Sequence, residues 1–424
     1  MQAETVTIQA PGKNNVTGQI MTIGAFFFIF GFITWVNGTL IPYLRIACEL
    51  EEWQAYLVTF AFYISYTVMA IPSSKILERT SMVKGMRVGL IVMALGCIIF
   101  IPAALIRYYP LFLLGLFVVG TGTTLLQTAV NPYITLLGPP EKAAQRMSMM
   151  GICNKFAGVL APLILGAIIL KNSDGLIGEL QSMTDAQRSV RLDGLAHAVI
   201  LPYLALTVIL LLIAYAIKFA HLPEIDLTLS ESELHQEVKA SSSQRLNFTL
   251  GFIATFSTVG LEVLAGDTIG NYGIYHGLSL SIAKHLTSYT LASTMLGYIL
   301  GVWAIPRFIS QEKAFTYSGI LGIIISLLAI FVPGTASIGF IALLGLANAL
   351  LWPAIWPQAL KGLKGAQLNQ GSAILIMGIA GGAIMPLVYG ALAKYSNNQY
   401  AYFVLIPLYL FNVYYSLRGR KQTS

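Results

Sequence analysis

Three ionisable side chains stand inside long apolar stretches of this sequence, where a charge is costly unless it has a partner or a purpose. Glu262 and Asp267 lie in the stretch Gly260-Leu-Glu-Val-Leu-Ala-Gly-Asp-Thr-Ile-Gly270, and Lys155 lies in another. A carboxylate in such a place binds a cation, holds a proton or pairs with a base. We therefore expect cation coupling at this site, with Glu262 as the first candidate and Asp267 and Lys155 assisting.

The spacing of the two acids predicts that they have different neighbours. Glu262 and Asp267 are five residues apart, which places them about 140° apart around an ideal helix. Glycines on both sides allow close packing or local unwinding. Lys155 is expected to neutralise one of the acids, and the sequence leaves open which one. It also leaves open whether Asp267 is solvated near a helix end, and whether the cation is a proton or Na⁺ bound at Glu262 and Asp267.

Amide side chains form a second polar set in the apolar segments. Gln127 and Asn131 are four residues apart, so they share one face of a helix. Amides of this kind bond the hydroxyls of a ligand, or they bond across packed helices instead. An indole face suits the C–H faces of a sugar. The expected substrate contacts are Asn37, Gln127, Asn131, Asn154, Trp352 and Gln358.

Composition indicates that membrane helices position these residues. The chain is 56% hydrophobic and only 10% charged, whereas a soluble domain carries about 25% charge. The apolar runs are long enough to cross a bilayer, which takes about 20 residues. We therefore expect an all-α membrane protein with twelve membrane-spanning helices. The predicted spans are 22–46, 53–77, 84–106, 110–137, 146–170, 198–220, 247–270, 282–306, 314–332, 336–360, 370–394 and 399–417.

An internal repeat divides these spans into two halves. Leu125-Leu-Gln-Thr-Ala-Val-Asn-Pro-Tyr133 recurs as Leu350-Leu-Trp-Pro-Ala-Ile-Trp-Pro-Gln358, and each copy is followed by Met-Gly-Ile. Duplicated membrane transporters place their substrate between such halves. The predicted division is a cytoplasmic tail at 1–21, a six-helix half at 22–220, a cytoplasmic linker at 221–246, a six-helix half at 247–418 and a cytoplasmic tail at 419–424.

The distribution of cations predicts the orientation. The net charge of +7 would suit nucleic acid, but the basic residues lie in short loops between apolar runs. Alternate loops are rich in lysine and arginine, so the positive-inside rule places both termini and the linker in the cytoplasm. We expect a multi-pass protein of a plasma membrane and no nucleic-acid partner.

At these residues the sequence resembles the fucose–galactose–glucose permease branch of the major facilitator superfamily, and most closely its glucose/galactose subgroup. The stretches that carry the resemblance are 30–42, 54–63, 127–133, 150–155 and 260–268. It implies the major facilitator fold, a bacterial inner membrane and a monomer. Fucose members carry an aspartate at Gly38 and a glutamate at Gln127, so their coupling acids are missing here, whereas Asn154 matches a sugar-site asparagine.

Together these features predict a symporter that imports a hexose such as glucose or galactose with Na⁺ or a proton, by alternating access. An N-acetylglucosamine or fucose permease of the same branch is the alternative. A sugar sensor is disfavoured because both tails are short. An enzyme is not expected, because the sequence has no catalytic cluster or nucleotide-binding loop. No cofactor is expected besides the co-transported cation.

Overall fold

The structure is a computed structural model of the chain, and almost everything it describes is helical. The residues it describes are 16–136, 143–169, 176–219, 222, 242–305, 307–361, 371 and 374–421. Most of the predicted linker lies outside these residues, and so do the first fifteen residues of the predicted N-terminal tail. The helix that follows the linker begins at Ser242, inside the predicted 221–246 segment.

The N-terminal half contains ten α-helices within the described residues. They are α1 (Val16–Trp35), α2 (Asn37–Ala47), α3 (Glu52–Ala55), α4 (Leu57–Thr80), α5 (Met82–Leu105), α6 (Tyr109–Leu136), α7 (Ala143–Ile169), α8 (Leu176–Ser182), α9 (Asp185–His197) and α10 (Ile200–Ala216). A short 3₁₀ segment, Ile217–Phe219, continues α10. Pairs such as α1 with α2 and α3 with α4 form single membrane crossings.

The C-terminal half repeats this plan. Its described helices are α11 (Ser242–Asp267), α12 (Ile269–Tyr275), α13 (Leu280–Ala283), α14 (Leu286–Ala304), α15 (Gln311–Phe331), α16 (Thr335–Asn348), α17 (Leu351–Ala359), α18 (Ala380–Tyr395) and α19 (Leu405–Lys421). A helical turn at 374–377 precedes α18, and a 3₁₀ segment, Tyr400–Val404, precedes α19.

Eleven helices of the described chain are long and apolar enough to cross a membrane, and each matches one predicted span. The remaining predicted span, 282–306, contains α14 and the end of α13. Seven of the nineteen residues of α14 carry hydroxyl groups, so no stretch of this helix long enough to cross a membrane is as apolar as those of the eleven spans. The all-α membrane fold is confirmed, and a helix stands in each of the twelve predicted positions.

Two helices between the fifth and sixth spans were not predicted. The predicted spans leave 171–197 unassigned, and α8 and α9 occupy part of this segment. Thr184 and Gln187 form a reciprocal capping box at the start of α9, and this Thr-x-x-Gln spacing is a signal that the sequence offered. The Tyr43 hydroxyl donates to the Leu195 carbonyl at 2.5 Å, which fastens α9 onto α2.

Several crossings are interrupted rather than continuous. The first helix of each half breaks at one residue, Val36 in the first and Thr268 in the second. The crossing made by α16 and α17 breaks at 349–350, and the one that contains α18 breaks at 378–379. Interrupted backbone at membrane depth is tolerated where it is buried in protein or lines a cavity.

The two halves meet over several contacts at one end of the bundle. We call this the distal end; it carries the loop 48–51 and the segment 396–399, and the opposite end carries Val16 and Lys421. Lys394 pairs with Glu51 at 3.4 Å, and the Asn398 amide donates to Glu52 at 2.7 Å. The Tyr56 ring packs edge-on against a C-terminal-half tyrosine, Tyr389, at 5.8 Å. The distal end is therefore closed.

Candidate functional site

An ion pair between Lys155 and Glu262 joins the two halves deep in the bundle. Lys155 comes from α7 and Glu262 from α11, so the bond spans the seam between the repeats. The Lys155 side chain is 9% exposed and that of Glu262 is 21% exposed. Of the two acids that the sequence left open, Glu262 is the partner of the lysine.

The Trp35 ring lies directly beneath the Lys155 ammonium of this ion pair. The Lys155 ammonium lies 4.7 Å from the centre of the Trp35 ring, a distance at which the ring face attracts a cation. Two glycines let the indole fit. A Cβ at Gly158 or at Gly266 would lie 2.6 Å from Trp35 atoms. The last residue of α1 thus contacts α7 and α11 at the same time.

Asp267 is completely buried at the end of α11. The Thr59 hydroxyl of α4 donates to its Oδ2 atom at a long 3.4 Å, and its Oδ1 atom has no hydrogen-bond partner among the described residues. The alternative of a solvated Asp267 at a helix end is therefore wrong. Glu262 and Asp267 contact different helices of the other half, as their spacing predicted.

Gln127 is connected to the acids through two tyrosines. Its amide donates to the Tyr66 hydroxyl at 2.9 Å, and the Tyr66 ring stacks on Tyr63 at 6.2 Å between centroids. Tyr63 lies close enough to Glu262 and Asp267 to interact with both electrostatically. Gln127 is half-buried, and so is Glu262.

Asn131 and Asn154 are also half-buried. Asn131 lies one turn from Gln127 on α6. The Asn154 amide makes a weak bond to the Phe27 carbonyl at 3.4 Å and packs on Gly31, where a Cβ would lie 2.7 Å from the amide nitrogen. Asn154 thus contacts α1 at Gly31, one helical turn before Trp35, which lies under the Lys155 ammonium.

The structure places Asn37 and Gln358 away from this group. Asn37 is 1% exposed and lines a cavity of about 10 Å³ inside the N-terminal half, between Phe62, Cys97 and Tyr203. Gln358 is directed at α19, where its amide donates to the Tyr415 carbonyl at 2.7 Å. Neither side chain is brought next to the ion pair.

Trp352 lies just across a helix break from Asn348, a residue that bonds to the backbone next to Glu262. The Asn348 amide donates to the carbonyl of Leu261 at 3.3 Å, and Tyr409 donates to Asn348 at 2.6 Å. Trp352 follows Asn348 by four residues, is half-buried and packs edge-on against Trp356 at 5.6 Å.

Sequence reasoning missed Trp35, Thr59 and Tyr63. None of them is a charged or amide residue, so none stood out as a polar group in an apolar helix. All three lie in the stretches 30–42 and 54–63 that carried the resemblance. That resemblance was the one signal that could have found them.

Comparison with known proteins agrees with this architecture. The Major Facilitator Superfamily profile matches residues 23–379. The chain belongs to the major facilitator superfamily. A glucose/galactose transporter of Brucella abortus is 35% identical over 97% of each chain, and the L-fucose-proton symporter of Escherichia coli is 28% identical over 94% of this chain and 92% of the other. The crystal structure of the transporter FucP in its outward conformation superposes with a TM-score of 0.73 at 25% identity, over 94% of this chain and 98% of that one.

Membership of the major facilitator superfamily confirms the broad predictions. The chain is a multi-pass membrane protein that belongs to a superfamily of transporters and not to an enzyme family. Of these relatives, the one from Brucella abortus is named for the transport of glucose and galactose, and the one from Escherichia coli for the symport of L-fucose and a proton.

Proposed function

We propose that this transporter is a symporter that imports a hexose together with a monovalent cation, Na⁺ or a proton, by alternating access. The observation that carries the proposal is the Lys155–Glu262 pair across the seam, with buried Asp267 nearby. The name of the Brucella abortus relative supports glucose or galactose as the sugar.

The charges of the site explain why a cation would matter. If both acids are ionised, Lys155 balances one of them and a single negative charge remains. An uncompensated carboxylate in a buried site is strongly unfavourable, so Asp267 needs a proton or a metal cation there. One monovalent cation makes the site neutral, which predicts one cation per sugar.

The residues around Asp267 fit either cation. Sodium prefers oxygen ligands, and the Asp267 carboxylate and the Thr59 hydroxyl supply them. The Oδ1 atom of Asp267, which lacks a partner in the described part of the chain, can equally hold a proton.

The sugar would lie beside this charged group. Gln127, Asn131 and Asn154 are half-buried amides of the N-terminal half, and Trp352 is a half-buried aromatic of the other half. Amides suit hydroxyl groups, and the indole suits the apolar face of the ring. Asn37 and Gln358 are left out of the proposed sugar site because their side chains are directed elsewhere.

Closure of the distal end supports alternating access. With that end sealed by the Glu51–Lys394 pair, the partly exposed Glu262 would be reached from the end that carries the chain termini. The opposite state requires these contacts to part. A cation contributes to coupling only if it changes the relative stability of the two states.

Uptake by purified protein in sealed liposomes tests the proposal. Radiolabelled glucose, galactose, fucose and N-acetylglucosamine are supplied under an imposed Na⁺ gradient, a proton gradient or neither. We expect one hexose to accumulate under one gradient, and Glu262→Gln and Asp267→Asn to abolish that accumulation. Failure of every sugar to accumulate, or accumulation that persists in both variants, would overturn the proposal.

A further inference from the structure

Thr287 connects the N-terminal half to the helix end that carries Asp267. It is the second residue of α14 and is 1% exposed. Its hydroxyl donates to the carbonyl of Gly266 at 2.7 Å. Because the last carbonyls of a helix have no helical donor, this bond caps α11 immediately before Asp267.

The same threonine packs against Gly38 of α2. A Cβ at Gly38 would lie 2.2 Å from Thr287 Oγ1 and 2.7 Å from its Cγ2, so only glycine fits there while the distal end is closed. Gly38 belongs to the N-terminal half, whereas Thr287 and Gly266 belong to the other half. The Thr287 side chain thus lies between Gly38 of the N-terminal half and the Gly266 carbonyl near the end of α11.

Gly266 also contacts the N-terminal half directly. It faces Trp35, the residue beneath the Lys155 ammonium. The short segment that ends at Asp267 is therefore held on one side by Thr287 and on the other by Trp35. Both contacts depend on how closely the two halves approach each other.

We infer that Thr287 is a positioning residue that links closure of the distal end to the placement of Asp267. In the closed state Gly38 holds the hydroxyl on the Gly266 carbonyl, and the end of α11 is fixed. When the distal end opens, Gly38 withdraws and the cap loosens, which changes the surroundings of Asp267. This inference rests on the proposed cation coupling, because it assigns Thr287 to regulating the same site.

The helix that carries Thr287 supplies matched controls. Thr290 also donates to α11, at the Ala265 carbonyl and 3.1 Å, and Thr294 donates to Thr290 within its own helix at 3.0 Å. Both are buried like Thr287. A Thr→Val change at each position removes one hydroxyl and keeps the side-chain shape.

The test compares Thr287→Val, Thr287→Ser, Thr290→Val and Thr294→Val in liposomes. Two rates are measured for each: accumulation driven by the coupling gradient, and sugar exchange with equal sugar and cation on both sides. We expect Thr287→Val to lose about tenfold in accumulation while exchange stays near wild type. Thr287→Ser should restore accumulation, and the two control variants should keep it.

A second variant approaches the contact from the other half. Gly38→Ala should displace the Thr287 hydroxyl and give the same loss of accumulation, with exchange retained at a reduced rate. It keeps the inference testable if Thr287→Val does not fold, as judged by gel filtration.

Two results would overturn the role of Thr287. One is a Thr287→Val protein that accumulates sugar like the wild type; the other is an equal loss in Thr290→Val, which would make the cap alone responsible. Both require a wild type that accumulates sugar. A wild type that fails to do so under any gradient would overturn the proposed function instead.

Discussion

The two halves of this transporter carry the same landmarks on differently built helices. The first copy of the repeat, at 125–133, lies within the unbroken helix α6, whereas the second, at 350–358, begins in the break between α16 and α17. Likewise, the first Met-Gly-Ile lies inside α7, and the second spans the turn at 378–379. The two repeated landmarks therefore lie within unbroken helices in the first half and at helix breaks in the second.

The polar groups of the site differ between the halves in the same way. The N-terminal half contributes the base Lys155 and the amides, and the C-terminal half contributes Glu262 and Asp267. The acids stand on α11, whose end is held by hydrogen bonds from α14. Both acids of the proposed cation site therefore stand on the C-terminal half, and the base that pairs with one of them stands on the N-terminal half.

The largest expected effect comes from separating the charges across the seam. Glu262→Gln should lower the free energy of unfolding by about 2 kcal/mol, less than the roughly 3–5 kcal/mol of a fully buried pair, because Glu262 is partly exposed. The double variant Lys155→Gln/Glu262→Gln should regain stability but not sugar accumulation. Thermal unfolding in detergent measures the change in the free energy of unfolding. A double variant no more stable than Glu262→Gln would contradict the pairing.

The two Met-Gly-Ile glycines test the difference in helix continuity. A Cβ at Gly378 would lie 3.0 Å from the Leu375 carbonyl and from Thr255, whereas a Cβ at Gly151 meets nothing within 4 Å. We expect Gly378→Ala to destabilise the protein by about 1 kcal/mol. Gly151→Ala should stabilise it by about 0.5–1 kcal/mol, because alanine favours a helix. Equal effects in unfolding experiments would show that the two crossings are equivalent.

Variants at two glutamines distinguish a role in sugar binding from a role in helix packing. Gln127→Ala should weaken sugar binding, because Gln127 is a half-buried amide of the proposed sugar site. Gln358→Ala should leave the sugar Kd unchanged and lower stability by about 1 kcal/mol, the usual contribution of one hydrogen bond. Calorimetric titration measures the sugar Kd, and thermal unfolding measures the stability. The reverse pattern would return Gln358 to the sugar site.

The smallest expected effect concerns pH at the distal end. The Trp53 indole N–H and the Lys394 ammonium lower the pKa of Glu51 below its usual 4.5. This ionised carboxylate therefore stabilises the closed end above about pH 4.5, and the contribution is lost as pH falls through the lowered pKa. Because Glu51 is exposed, the effect should be slight. Lys394→Ala should reduce the pH dependence of unfolding in this range, and an unchanged pH profile would argue against the contact.

Much of the fold could be predicted because it depends on local patterns. Eleven predicted spans coincide with long apolar helices, since a run of about 20 apolar residues has few alternatives to crossing a bilayer. The helix α9 was missed because it is polar and short, although its capping box was visible. The breaks at Val36 and Thr268 were not predicted in place, because they depend on neighbouring helices that supply partners for the freed backbone groups.

The candidate site was predicted in its residue types but not in its arrangement. A buried acid or base is visible in a sequence because its cost in an apolar segment is local. The positions of Asn37 and Gln358 were not visible, because an amide can face a sugar, a cavity or a neighbouring helix without any change in local pattern. Trp35 could not be recognised as the surface beneath Lys155, because its partner lies on a helix 120 residues further along.

The sequence by itself determined that the chain crosses a membrane many times, that it is duplicated and that two acids and a lysine lie in apolar helices. These properties follow from composition and spacing over a few tens of residues. Only the tertiary structure decided that Lys155 pairs with Glu262 rather than Asp267, and that Thr287 lies between Gly38 and Gly266. The Lys155–Glu262 and Thr287–Gly38 contacts each join residues more than 100 positions apart in different halves, so the packing of the two halves selects them.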